Sequence, residues 1–125
     1  MFENWNSLGV MTQSWKVDRL NYLIDRLQID VVAGCEGQCD WSKVPPDKQF
    51  LNIVAPGCLC KGISAHNKNE TVSREQMGGT AIACIGNLGD VMTEYGEDTT
   101  GLGRWSWLAL GTGTTKTIVI SAYLP

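Results

Sequence analysis

Residues 14–35 constrain the fold of this chain most. Val17, Leu20, Leu23, Ile24 and Leu27 recur at helical spacing on one face, and Lys16, Asp18, Arg19, Asp25 and Arg26 take the other. Trp15 extends the apolar side, and Ser14 is placed to cap the first turn through its hydroxyl. The helix, expected over 14–28, runs straight into Ile29-Asp30-Val31-Val32-Ala33-Gly34-Cys35. That segment is β-branched at its centre and reads as a strand with Glu36 at its end.

Further along, Pro45-Pro46 and Gly57 punctuate an irregular stretch over 37–75. Phe50 to Ala55 is expected as a short strand, and Lys61 to Glu75 as a polar surface loop. Strand patterns then follow at Thr80–Ile85, Arg104–Leu110 and Thr117–Tyr123. The last two are joined by the turn Gly111–Lys116 and should pair as a hairpin. A short strand, a helix, a strand, an irregular stretch and a run of strands predict an α/β mixed sheet with one main helix on a face. One strand is barely begun at Asn4-Trp5-Asn6-Ser7-Leu8, and another runs into Pro125. The expectation is a sheet layer with one apolar face uncovered, which is a liability in a closed domain.

Composition limits the function classes. With 125 residues, the chain is one small domain, 1–125. The hydrophobic content of 43% and charged content of 18% are those of a globular chain. A net charge of −3 argues against holding nucleic acid by charge alone. No leader-like segment opens the chain and no apolar run reaches membrane-spanning length. The expected location is therefore intracellular, nuclear or cytoplasmic, with no membrane partner. Five cysteines, Cys35, Cys39, Cys58, Cys60 and Cys84, suit reduced thiols. Their spacing, with His66 as the only histidine, is not that of a usual zinc site. Asn69-Glu70-Thr71 matches a glycosylation sequon only by pattern.

Five segments carry a resemblance. Asn4-Trp5-Asn6-Ser7-Leu8 matches the pattern N-x-[ND]-G-L, with serine at the glycine position. Asp30-Val31-Val32-Ala33-Gly34-Cys35-Glu36 matches D-[IV]-[IV]-x-[LG]-x-E, and Gly78-Gly79-Thr80-Ala81-Ile82 matches G-G-[TV]-[AG]-I. Gly101-Leu102-Gly103-Arg104-Trp105 carries G-R-W, and Val119-Ile120-Ser121-Ala122-Tyr123-Leu124-Pro125 matches V-[ST]-x-Y-x-P. In this order they resemble the endonuclease/exonuclease/phosphatase superfamily, nearest to the apurinic-type endonuclease domains of non-long-terminal-repeat retroelements. The resemblance spans residues 4–125 and the front part of that domain. It implies the N-terminal half of a four-layer αββα sandwich and a Mg²⁺- or Mn²⁺-dependent phosphodiesterase acting on DNA. By resemblance Glu36 binds the metal and Asn6 stands near it. Asn4 orients the scissile phosphate or base, Tyr123 contacts the phosphate, and Arg104 reaches nucleic acid.

The residues also admit plainer readings. A glutamate at a strand end is often only solvated, and Asn4 and Asn6 are also turn formers. Tyr123 suits a strand interior or edge, Arg104 a structural strand residue, and Trp105 and Trp107 core packing. Trp41, after Asp40, reads as a loop anchor. His66 matches none of the motifs and reads as solvent-facing. The family's later carboxylates and its basic histidine have no counterpart after Tyr123, so hydrolysis by these residues alone is expected to be negligible. Two other roles stay open: a phosphatase of the same superfamily, or a non-catalytic half-domain whose bare sheet face meets a protein partner.

Overall fold

The computed structural model describes residues 1–11, 14–69 and 78–124, without the side chain of Ser14. The capping role expected of Ser14, the loop from Glu70 to Glu75 and Pro125 therefore lie outside the described residues. The elements are β1 (Phe2–Asn4), α1 (Ser14–Leu27), β2 (Val31–Cys35), α2 (Phe50–Ile53), β3 (Cys60–Ala65), β4 (Thr80–Ile85), β5 (Met92–Glu97), β6 (Trp105–Leu110) and β7 (Thr117–Ala122). Short 3-10 turns fall at Trp41–Lys43, Pro46–Lys48, Gly86–Val91 and Gly113–Thr115.

Helix α1 forms where the periodicity predicts it. Leu20 and Ile24 are buried one turn apart, while Trp15 and Leu27 at its ends are exposed, so neither extends the apolar face as expected. The helix stops in a left-handed residue, Gln28 at φ 51°. There Ile29 N donates to Ile24 O (3.0 Å) and Gln28 N to Asp25 O (3.4 Å), which satisfies two terminal carbonyls.

The strands make two sheets. One is mixed, in the order β1-β2-β4-β3, with β1 parallel to β2 and the other pairs antiparallel. The other is antiparallel, β5-β6-β7, and contains the expected β6–β7 hairpin. Side-chain alternation divides the core in two. Val32, Ala81 and Ala83 face α1, where Leu20, Ile24, Phe50, Val54, Trp5 and Trp41 join them. Ala33, Ile82 and Cys84 face the opposite way and meet Leu108 and Leu110 of the second sheet. Ser121 Oγ donates to Gly34 O (2.7 Å) in this buried layer.

Three local expectations are corrected. Phe50–Ala55 is not a strand: α2 turns helically so that Phe50 and Val54, four apart, both reach the core. Asn21 of α1 fixes this turn, donating to Ile53 O and accepting from Ala55 N (2.8 Å each). Cys60–Ala65 is a strand rather than surface loop, its polar Lys61 and Ser64 offset by pairing along β4. Trp105 and Trp107 do not pack into the core. The inward positions of β6 are Ser106, Leu108 and Leu110, which leaves the tryptophans half-buried on the outer face beside exposed Ile118 and Ile120. Trp41 does anchor its loop, buried and 6.1 Å edge-on from the Phe50 ring.

Candidate functional site

The segments singled out in the sequence meet at one end of the sheets. β1 and β2 run parallel, so Asn4 and Cys35 end side by side. Beyond them the two chains stay bonded: Trp5 N donates to Cys35 O (3.0 Å), Ser7 N to Glu36 O (2.8 Å) and Leu8 N to Gly37 O (3.1 Å). Gly37 N and Gln38 N then donate to Gly79 O (3.2 Å) and Gly78 O (3.0 Å). Gly79 N donates to Gly103 O (3.2 Å), and Tyr123 N to Arg104 O (2.7 Å). A continuous rim results, running from Asn4 through Glu36, Gly78-Gly79 and Gly103-Arg104 to Tyr123.

The backbone of this rim is unusual. Asn6 (φ 42°), Ser7 (φ 68°), Glu36 (φ 56°) and Gln38 (φ 49°) are all left-handed without being glycine. Such residues each cost on the order of 1 kcal/mol or more and gather where surrounding structure over-determines them, commonly at functional sites. β1 ends at Asn4, so Asn4-Trp5-Asn6 passes into this turn and does not continue as a strand. Trp5 is buried against Gly34, where a Cβ would overlap its ring, while Asn4 and Asn6 remain exposed. Asn4 Oδ1 accepts from the backbone N–H of Asn6 (3.0 Å), so the Asn4 side chain is tied to the turn.

Glu36 is half-buried immediately after β2. Tyr123 is half-buried, with its ring edge 3.9 Å from where a Gly78 Cβ would stand, and Arg104 is exposed. The motif glycines serve geometry. Gly78 and Gly79 hold φ near +88°, and Gly103 (φ 65°) has His66 C 2.5 Å from its Cβ position, closer than any side chain permits.

Three participants lay hidden in the sequence. Asp98, buried, organises the loop before β6: its Oδ1 accepts from Thr100 N (2.8 Å) and Oγ1 (2.6 Å), and its Oδ2 from Arg104 N (3.0 Å). Burial raises its carboxyl, but these hydrogen bonds and the Arg104 charge outweigh it and hold the carboxyl below its usual value. His66 is not solvent-facing. Its side chain is 15% exposed and Nε2 lies 3.2 Å from Asp40 Oδ1. Asp40 also takes Ser42 N (3.0 Å) and pairs with Lys43 (3.0 Å). Burial raises the Asp40 carboxyl, and the Ser42 and Lys43 hydrogen bonds with the His66 charge bring it below its usual range. Finally Lys16, expected on the solvated face of α1, turns inward toward the Trp5–Ser7 turn.

For a hard divalent cation the rim supplies the Glu36 carboxylate and amide oxygens. Among the described residues no group of three acids, histidines or cysteines gathers. One carboxylate with amide oxygens is a donor set of the kind a largely hydrated Mg²⁺ or Mn²⁺ takes. Burial, then the Asp40 charge, push the Cys39 thiol up to about 11, and burial also raises Cys35, Cys60 and Cys84. Among the described residues no helix is long and apolar enough to cross a membrane. No protein-family model matches the chain, and no curated protein matches it.

Proposed function

We propose that this chain carries the metal- and phosphate-holding part of an endonuclease/exonuclease/phosphatase-type site, that of a Mg²⁺-dependent phosphodiesterase acting on DNA, and that it does not turn over by itself. One observation carries the reading. Segments spread from residue 4 to residue 123 are joined by backbone hydrogen bonds into one strained rim bearing Glu36, Asn4, Asn6, Arg104 and Tyr123. On this reading the α1 layer and the two sheets correspond to part of a four-layer αββα sandwich.

A bound Mg²⁺ would polarise a phosphoryl oxygen and steady the leaving oxygen. Glu36 would hold that ion. Asn6 would orient one of its waters, Asn4 would donate from its amide nitrogen to a phosphate oxygen, and the Tyr123 hydroxyl would donate to another. Arg104, exposed at the rim, would meet the neighbouring backbone phosphate. Among the described residues this reading assigns no group to take the proton from attacking water. The one histidine, His66, faces Asp40 and clasps the end of β3 to the 41–43 turn. General-base help is worth roughly 10²–10⁴ in rate, so turnover without it is slow.

The test is Mg²⁺-dependent nicking of supercoiled plasmid by the folded chain, with Glu36→Gln and His66→Ala. No nicking, with Mn²⁺ and short DNA still perturbing rim amides in a Glu36-dependent way, is the expected result. Nicking lost in both variants would overturn the proposed lack of turnover and make the Asp40–His66 pair the base. No Glu36-dependent effect of metal or DNA would sink the phosphodiesterase reading.

A second reading is favoured by the outer face of the β5-β6-β7 sheet. Trp105, Trp107, Ile118 (55% exposed) and Ile120 (60% exposed) form an apolar surface there, as protein-contacting half-domains present. A strictly monomeric chain at high concentration that captures no partner through this face would count against it.

A further inference from the structure

The ammonium of Lys16 donates to three consecutive carbonyls, Trp5 O (3.0 Å), Asn6 O (2.7 Å) and Ser7 O (2.6 Å). An ammonium has three N–H donors, and all three are used here on one turn. Lys16 sits in the first turn of α1, where the helix dipole disfavours a cation. That placement is offset by the carbonyls, which converge because Asn6 and Ser7 are left-handed. The turn is strained at two residues, neither of them glycine, and the lysine's hydrogen bonds offset that cost. Its other side is tied to the metal-side strand through Ser7 N to Glu36 O and Leu8 N to Gly37 O. Asn4 and Asn6 are thus joined to the Glu36 segment through the backbone of this turn. Arg19, one helical turn on, approaches Glu3 of β1 (3.8 Å) and braces the same edge.

Building on the phosphodiesterase reading, we infer that Lys16 is the positioning residue of the rim. By saturating the carbonyls of Trp5, Asn6 and Ser7, its ammonium holds the left-handed turn that sets the asparagine amides against Glu36, and so sets how tightly the rim takes a divalent cation. Lys16 does not touch the ion. It is needed as lysine, because a planar guanidinium cannot aim three N–H groups into one cone of carbonyls.

The experiment is a Mn²⁺ titration of ¹⁵N-labelled chain, following paramagnetic broadening of the Asn6, Glu36 and Gly37 amides. Wild type, Glu36→Gln, Lys16→Met, Lys16→Arg and the double variant Lys16→Met/Ser7→Gly are compared. Outer residues that orient metal ligands typically cost ~10–100-fold in affinity when removed, and a shift of that size is expected for Lys16→Met. Lys16→Arg should show a smaller shift in the same direction, and it serves alone if Lys16→Met does not fold. Glycine at position 7, free to adopt φ 68°, should recover part of the loss. A loss that glycine leaves untouched would assign the lysine's effect to charge and overturn the positioning role. Unchanged titrations in both Lys16 variants, with Glu36→Gln still abolishing broadening, would overturn the inference while leaving the phosphodiesterase reading intact. Absence of Glu36-dependent broadening in wild type would overturn both.

Discussion

Replacing Asp98 by asparagine tests how the loop ahead of β6 is held. The wild-type carboxylate is 5% exposed and accepts three hydrogen bonds, from Thr100 N, Thr100 Oγ1 and Arg104 N. Asparagine can keep its oxygen toward Thr100, but its NH₂ then meets the Arg104 N–H, donor against donor. One bond to a charged acceptor, about 1.5–3 kcal/mol, is lost, and the remaining two lose their charge assistance. The expected total is about 2–4 kcal/mol, a fall of ~1–2 M in the urea midpoint for a chain of this size. Acid should erase the difference. The folded carboxyl sits below its usual 3.8, so as pH falls the unfolded chain takes up the proton first. Stability from this group is present above about pH 5 and is lost as pH drops through 3.8 toward the folded value. The two urea curves, well apart at neutral pH, should therefore approach each other toward pH 3. Equal midpoints at neutral pH, or a gap that acid does not narrow, would refute the assignment of Asp98 as the organiser of this loop.

Four other outcomes follow from the packing. Gly34→Ala should lower stability by at least about 1–3 kcal/mol in thermal melts, because the added methyl overlaps the Trp5 ring. Ser7→Gly and Gln28→Gly should each raise stability by roughly 0.5–1 kcal/mol in urea unfolding, since both residues are left-handed at φ 68° and 51°. Ser121→Ala removes the buried bond to Gly34 O between the sheets and should cost ~1–2 kcal/mol, read the same way. Ile120→Thr, on the outer sheet face, should change stability by less than ~1 kcal/mol yet reduce binding of a hydrophobic dye.

The sequence by itself determined the elements whose signal is local. Helix α1 follows from apolar residues at helical spacing, and β4, β6 and β7 from β-rich runs bounded by glycine turns. Its motifs named Asn4, Asn6, Glu36, Arg104 and Tyr123, and the structure brings their segments to one rim. Part of what was missed had a local trace: Asp98 and Asp40 each precede a hydroxyl residue by two, the spacing of an Asx turn. The rest had none. Met92–Glu97 shows no strand pattern because only Met92 of β5 packs in the core between the sheets and the rest of the strand is not selected for apolar alternation. The face on which Trp105 and Trp107 lie depends on which side of β6 meets the mixed sheet, and alternation reads identically either way. His66 joins Asp40 only because β3 pairs with β4, and Lys16 finds its carbonyls only because the 5–8 segment continues along residues 35–37. Periodicity is set by neighbours along the chain, whereas the choice of face and the convergence of distant polar groups are set by burial against partners the local sequence does not specify.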